Sequence, residues 1–182
     1  MLKPFLLIIF IPFISWTQSE LFIGQWTTHL PYNNGLQITQ SEDYIYYATA
    51  FSLLQIDKSD FSPKKITRTE GLSGSQINCI YFHQETKTLV IAYSDGLIDL
   101  VREEGVSAVP DIKIYNNVPI NKTIRSITGG DAQHVFINAD YGISYLNLNN
   151  GSIAYTAFTP NLKINHTLKY KDALYSASAK GL

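Results

Sequence analysis

Apolar and polar positions along this chain form a unit that recurs four times. Each copy has an apolar run, a step of small residues, a turn, and then Gly or Ser followed by Leu or Ile. The four copies read YIYYATAFSLLQID, TLVIAYSDGLIDLV, HVFINADYGISYLNL and ALYSASAKGL. Their turn residues are Ser52, Gly96, Gly142 and Gly181, so the spacings are 44, 46 and 39 residues. A period of about 40–50 residues built from short strands predicts the blades of a β-propeller.

Each unit divides into four short predicted strands. Those of the second unit read INCIYFH, TLVIAYS, GLIDLVRE and GVSAVPD, and the outermost strand of the first reads PKKITRTEG. Middle strands such as VIAYS are apolar on both faces, as expected for strands that lie between two neighbouring blades. No window has a 3.6-residue apolar period, so we predict an all-β fold. It comprises three blades and the start of a fourth, at approximately residues 35–70, 71–112, 120–160 and 164–182.

The number of repeats predicts that the propeller is incomplete. Propellers have typically four to eight blades, and an unclosed ring leaves sheet edges exposed. We therefore expect the chain to be the N-terminal fragment of a larger protein. Residues Gln25–Leu30 are predicted to be the strand that completes the last blade of the ring.

Residues 1–19 differ in kind from the rest. Lys3 provides a positive charge before the apolar run Phe5–Ile14. This run is shorter than the ~20 residues that a transmembrane helix needs, so a secretory signal peptide is predicted. Cleavage fits after Thr17 or after Ser19. The mature part, residues 20–182, is then an exported partial propeller with no transmembrane segment.

Composition limits the class of protein. Hydrophobic residues make up 45% of the chain and charged residues 16%, with a formal net charge of −1. This composition supplies a packed core and excludes disorder, and the near-neutral charge argues against nucleic-acid binding. The single cysteine, Cys79, excludes an internal disulfide and is predicted to be a buried small hydrophobe.

No pattern of catalytic or metal-binding residues emerges. The histidines His29, His83, His134 and His166 have no metal-ligand spacing, and we predict surface or turn positions for them. The sequence also lacks a nucleophile elbow and paired carboxylates at defined positions. The chain is therefore predicted to be non-enzymatic, without catalytic residues, metal or cofactor.

Candidate ligand contacts lie in the turns between the second and third strands of the units. Asp95 and Asp140 occupy these turns, where aspartate suits a tight turn. The alternative is that they contact a partner at one end of the ring, with Tyr93 and Tyr141 stacking on sugar rings. Basic residues for an anionic ligand are sparse. A cluster on the outer strand of the first unit, predicted to be a solvated edge, comprises Lys64, Lys65 and Arg68.

Residues 70–100 resemble the propeller repeat of two-component regulators. That repeat has a Gly-Leu pair, an apolar strand flanked by Asn, a second apolar strand and a Gly-Leu turn. Here these places are held by Gly71-Leu72, Asn78, Leu89–Ala92 and Gly96-Leu97. The Trp and Thr that are usual in the central strand of the repeat are absent, so the match is partial. The resemblance implies a propeller of this superfamily.

A more specific resemblance covers nearly the whole mature chain. The opening GQWTTHLPYNNGLQITQSEDYIYYATAFSLLQID, with RTEGLSG and LVIAYSDGLIDLV, is similar to the start of PorZ proteins of the Bacteroidetes type IX secretion system. The resemblance implies a surface protein with two β-propellers and a C-terminal β-sandwich. It also implies an attachment complex with a PorU-like sortase, PorV and PorQ, in which the protein binds anionic lipopolysaccharide and supplies it to the sortase.

Two functions therefore remain open from the sequence. The first is a non-enzymatic binding or scaffold component of the type IX secretion system at the outer membrane or cell surface. The alternative is the periplasmic propeller of a hybrid two-component regulator that senses oligosaccharides. A transmembrane helix and a kinase beyond Leu182 would distinguish the sensor from the secretion component.

Overall fold

The computed structural model describes residues 32–116, 121–159 and 162–181. The predicted signal peptide at 1–19 and the predicted closing strand at Gln25–Leu30 lie outside these residues. The described chain forms three four-stranded antiparallel sheets and one two-stranded sheet, each with its strands in sequence order. The prediction of an all-β propeller with three blades and the start of a fourth is confirmed.

The strands follow the repeat unit, one sheet for each blade. Blade 1 contains β1 (Gly35–Gln40), β2 (Tyr44–Thr49), β3 (Leu53–Asp57) and β4 (Pro63–Ile66). Blade 2 contains β5 (Ile77–His83), β6 (Thr88–Tyr93), β7 (Ile98–Arg102) and β8 (Gly105–Val109). Blade 3 contains β9 (Ile124–Asp131), β10 (His134–Ala139), β11 (Gly142–Asn147) and β12 (Ser152–Phe158). Blade 4 contributes β13 (Ile164–Tyr170) and β14 (Ala173–Ser178).

The core lies between the blades, and β6 shows why such a strand is apolar on both faces, with Thr88 as its one polar residue. All six residues of this strand are buried. Leu89 and Ile91 pack in the cluster shared with blade 1, whereas Val90 and Ala92 pack in the cluster shared with blade 3. Because successive side chains of a strand point to opposite faces, a strand between two blades needs apolar residues on both faces.

The outermost strands of blades 1 and 2 are shorter than the sequence predicts. β4 ends at Ile66, and a 3₁₀ turn at Arg68–Glu70 follows, with a capping box between Thr67 and Glu70. β8 ends at Val109, and helix α1 (Asp111–Ile114) begins after Pro110. Proline has no N–H to donate to a ladder, which ends the strand there. The all-β fold of the described residues thus includes one four-residue α-helix, α1.

The strand order brings two kinds of loop to the same end of the blades. In an antiparallel meander the turn between the second and third strands lies at the same end as the connection to the next blade. We call this end the connection face, which comprises residues 50–52, 67–76, 94–97, 110–116, 121–123, 140–141 and 159, 162–163. Hydrogen bonds join the two kinds of loop, from Ser94 N to Gln76 O at 3.0 Å and from Asp140 N to Thr123 O at 3.1 Å. All four candidate ligand contacts lie on or beside this face.

Candidate functional site

Tyr93 is a core residue that holds an inter-blade connection. Its side chain is 1% exposed, and its hydroxyl donates to Asp99 Oδ2 at 2.6 Å. The backbone N–H of Ser73 donates to the same oxygen at 2.8 Å. Burial, followed by the hydrogen bond to Asp99, raises the pKa of Tyr93. The ring is therefore enclosed, and Tyr93 fixes the connection between blades 1 and 2.

Tyr141 is also buried, so its ring face is not offered to a sugar on the connection face. Its side chain is 5% exposed, and its hydroxyl shares a hydrogen bond of 2.8 Å with Ser144 Oγ. Burial raises the pKa of Tyr141 to about 12. The ring packs on Phe158 with the centroids 6.0 Å apart. This aromatic contact joins the turn after β10 to the end of β12.

Asp95 stabilises its own turn and holds a basic side chain. Its Oδ1 accepts the backbone N–H of Leu97 at 3.1 Å, which is the hydrogen bond of an Asx turn. Its Oδ2 lies 2.7 Å from Lys113 Nζ, and both side chains are about half exposed. Burial by itself would raise the pKa of Asp95, but the Lys113 ammonium and the Leu97 amide outweigh it and lower the pKa. Asp95 thus combines a turn role with the positioning of Lys113.

Asp140 joins three segments of the connection face. Its carboxylate accepts Arg125 Nε and, at 2.7 Å, Asn121 Nδ2. Lys163 Nζ lies 3.9 Å from its Oδ2. The Asp140 side chain is 5% exposed, whereas those of Arg125 and Lys163 are 33% and 56% exposed. The carboxylate is therefore covered by basic groups, and those basic groups face the solvent.

The turn aspartates of this face thus hold exposed basic side chains, and the sequence reasoning missed these pairs. Lys113, Arg125 and Lys163 each lie beside a turn aspartate, although 15 to 23 residues separate the members of each pair along the chain. No local motif marks such pairs, and only the placement of each connection beside a turn brings them together. Of the predicted basic cluster, Lys64 and Lys65 are exposed on β4, as expected for a solvated edge, whereas Arg68 lies in the 3₁₀ turn Arg68–Glu70 on the connection face.

Two further reactive side chains of the described residues, those of Cys79 and His83, are buried in structural environments. Cys79 is 3% exposed, as predicted, and burial raises the pKa of its thiol to about 12. His83 is 3% exposed and bonds through Nδ1 to Thr86 and through Nε2 to the carbonyl of Asp131, at 3.0 and 2.9 Å. The predicted surface or turn position is thus wrong for His83, because this ring links blade 2 to blade 3.

Two further searches concern the described residues alone. Within 32–116, 121–159 and 162–181, no three His, Cys, Asp or Glu side chains come together as a metal site. No helix in the same part of the chain is long and apolar enough to cross a membrane.

Solved structures establish the likeness of the fold. PorZ of Porphyromonas gingivalis, an essential bacterial surface component of the type IX secretion system, superimposes with a TM-score of 0.71 at 23% identity. The extracellular domain of BT4673 from B. thetaiotaomicron, a proposed hybrid two component system, gives 0.66 at 15% identity. These alignments cover 80% and 85% of this chain. The chain spans about a fifth of the length of each, 19% and 21%.

The comparison of sequences identifies the family. No curated protein matches the chain. The family model of the PorZ N-terminal β-propeller domain, described under the type IX secretion system, matches residues 45–182. This range contains most of blade 1 and all of the described residues of blades 2 to 4. The chain therefore belongs to the family of PorZ N-terminal β-propeller domains.

Proposed function

We propose that this chain is part of a non-catalytic binding and scaffold component of the type IX secretion system. In this proposal the predicted signal peptide at 1–19 directs the protein out of the cytoplasm, and the protein belongs to the attachment complex at the cell surface. It binds anionic lipopolysaccharide and presents it to a PorU-like sortase. The observation that carries the proposal is the family match over residues 45–182.

The charges of the connection face support binding of an anionic glycan. Lys113 and Lys163 extend to solvent there, 46% and 56% exposed, and Arg125 lies beside Lys163 on Asp140. Exposed charges attract a polyanion through several weak contacts, each screened by salt. In this proposal Asp95 and Asp140 do not contact the sugar. They hold the basic groups that do, because each carboxylate is engaged by those groups.

Binding of purified anionic lipopolysaccharide to the immobilised full-length protein tests this proposal. A variant with Lys113→Ala and Lys163→Ala removes two positive charges from the connection face, while Asp140 keeps Arg125 and Asn121. Exposed ion pairs contribute about 0.2–1 kcal/mol each, so loss of two should lower the affinity by about two- to thirtyfold at low salt.

The control variant, Lys64→Ala with Lys65→Ala, makes the same change in net charge on β4. It should bind within about twofold of the wild type, since exposed changes remote from a site have small effects. Equal losses in both variants would show that net charge alone governs binding and would refute the site. A wild-type protein that does not bind the glycan would refute the lipopolysaccharide role itself.

The second candidate is a periplasmic oligosaccharide sensor. It is favoured by the fold shared with the extracellular domain of BT4673. The sequence of the gene beyond residue 182 distinguishes the two. A second propeller and a β-sandwich without a transmembrane helix support the secretion component, whereas a transmembrane helix followed by a kinase supports the sensor.

A further inference from the structure

The outermost strands of the three complete blades differ in how their edges are protected. β4 contains Pro63 and the exposed Lys64 and Lys65, which oppose pairing with another strand. β8 has five residues and follows the acidic pair Glu103-Glu104. By contrast, β12 has seven residues, SIAYTAF, with neither a charge nor a proline. Among the three complete blades, β12 is therefore the edge that most favours pairing with another strand.

The outer edge of β12 is available for pairing. β12 is the last strand of its sheet and pairs only with β11. Two of its aromatic residues are exposed, Tyr155 by 62% and Phe158 by 46%. One row of its backbone N–H and C=O groups therefore has no strand partner in the described chain. Such an edge is complementary to an extended polypeptide, which alone offers donors and acceptors at the matching repeat.

A cavity of about 260 Å³ lies between helix α1 and one face of blade 3, where residues of β12 line it together with Tyr141 and Ser144. Its walls include Ile112 and Tyr115 from the helix side, and Ile153 and Phe158 from β12. The Tyr115 and Phe158 rings stack with their centroids 5.8 Å apart. The cavity is thus an apolar space that one side chain of an added strand can enter.

The same cavity carries one carboxylate. Asp111 lines it and is exposed. Among the described residues, no basic side chain lies within 4.0 Å of this carboxylate. The charge complementary to the Asp111 carboxylate is therefore positive, unlike the charge complementary to Lys113 and Lys163 on the same connection face.

We propose that β12 accepts an extended strand from a partner polypeptide. The added strand pairs with the outer edge of β12, an apolar side chain enters the cavity, and a basic side chain nearby pairs with Asp111. Main-chain hydrogen bonds supply the affinity, and the cavity and the carboxylate supply the specificity. This interaction goes beyond the proposed glycan binding and does not depend on it.

A synthetic peptide tests the proposal on the full-length protein. The probe is a fluorescein-labelled nine-residue peptide of alternating valine and threonine with an arginine at each end, and its binding is followed by fluorescence anisotropy. A matched peptide carries N-methyl groups at alternate backbone nitrogens, which removes the donors of one edge. The unmodified peptide should bind, and the N-methylated peptide should bind at least about tenfold more weakly, since strand addition requires the main-chain bonds.

Matched variants locate the binding. Ala154→Lys with Tyr155→Lys places two charges at exposed positions of β12. This variant should bind the unmodified peptide about tenfold more weakly than the wild type, or more weakly still. Ser107→Lys with Ala108→Lys places the same charges at exposed positions of β8 and should leave binding within about twofold. The thermal unfolding of both variants establishes that they fold.

Asp111→Asn supplies a second readout. This substitution should weaken binding of the arginine-bearing peptide and should leave unchanged the binding of a peptide with glutamine at both ends. The proposal is wrong if the unmodified peptide does not bind, if the N-methylated peptide binds equally well, or if the β12 and β8 variants behave alike. Loss of lipopolysaccharide binding in the β12 variant, without any peptide binding by the wild type, would assign this edge to a glycan and would also overturn the proposal.

Discussion

Gly142 begins β11 at a turn that the repeat pattern marks in every unit, and its replacement by alanine tests that geometry. The residue has a φ of 138°, a value that residues other than glycine rarely adopt. A Cβ built at this position overlaps the carbonyl oxygen of Ala157 and lies 3.0 Å from the backbone nitrogen of Thr159. Both are backbone atoms at the end of the adjacent strand β12, and backbone atoms cannot rotate away as a side chain would.

Gly105 provides a matched control for the backbone conformation. Its φ is 137°, but a Cβ built there has no atom within 4 Å. Both alanine variants incur the strain of this conformation, roughly 1–3 kcal/mol. In both variants alanine also lowers the conformational entropy of the unfolded chain, which stabilises the folded state by about 0.4–1 kcal/mol. Only the variant at residue 142 adds the overlap with Ala157, roughly a further 1–3 kcal/mol by analogy with overpacking.

Hydrogen exchange in the full-length protein measures this difference locally. In each variant the opening of the affected strands is compared with the opening of the same strands in the wild type. The increase for β11 and β12 in Gly142→Ala should be about 5- to 150-fold larger than the increase for β7 and β8 in Gly105→Ala, because this range corresponds to 1–3 kcal/mol. Equal increases in exchange in the two variants would refute the steric account of Gly142. They would show that the φ value alone, and no close approach of the Ala157 backbone, selects glycine there.

Three further predictions concern buried and titratable groups. Because burial raises the pKa of Cys79 to about 12, its thiol should resist Ellman's reagent at pH 8 until the protein is unfolded, and rapid labelling of the native protein would contradict this. Asp99→Ala should leave two hydrogen-bond donors without an acceptor, the Tyr93 hydroxyl and the Ser73 backbone amide, and should destabilise blade 2 by about 1–3 kcal/mol for each. Hydrogen exchange measures this loss, and a change below about 0.5 kcal/mol would contradict the prediction. Partial burial would raise the pKa of Asp131, but hydrogen bonds, chiefly from Tyr145, hold this pKa below its usual value. The ionised Asp131 therefore stabilises the folded state at neutral pH, and this stabilisation is lost as the pH falls below about 4. Tyr145→Phe should therefore lose less Tm between pH 6 and pH 3 than the wild type, and an equal loss would contradict this assignment.

The repeat pattern is sufficient to predict the blades because each blade has the same packing problem. A strand such as β6 needs apolar residues on both faces, and a turn such as that at Gly96 needs a positive φ, here 86°. Both requirements are local and are visible in the residues themselves. The short helix α1 is not predictable by periodicity, because four residues span little more than one turn.

The candidate site is only partly predictable, because burial depends on the neighbouring blade. Tyr93 and Tyr141 each lie near a turn, where aromatic rings are often accessible, yet each is covered by residues distant in sequence. Asp95 and Asp140 are in the predicted turns, but their partners Lys113 and Arg125 come from helix α1 and from the start of β9, on either side of a connection between blades. The sequence contains these groups and does not specify which connection lies against which turn.

Removal of the gene, followed by analysis of secreted cargo, tests the proposed function most directly. If the protein supplies anionic lipopolysaccharide to a sortase, cargo from the deletion strain should lack the attached glycan and should remain unprocessed at its sorting signal. Expression of the full-length wild-type protein should restore both. Cargo that is processed and carries the glycan normally in the deletion strain would contradict the account.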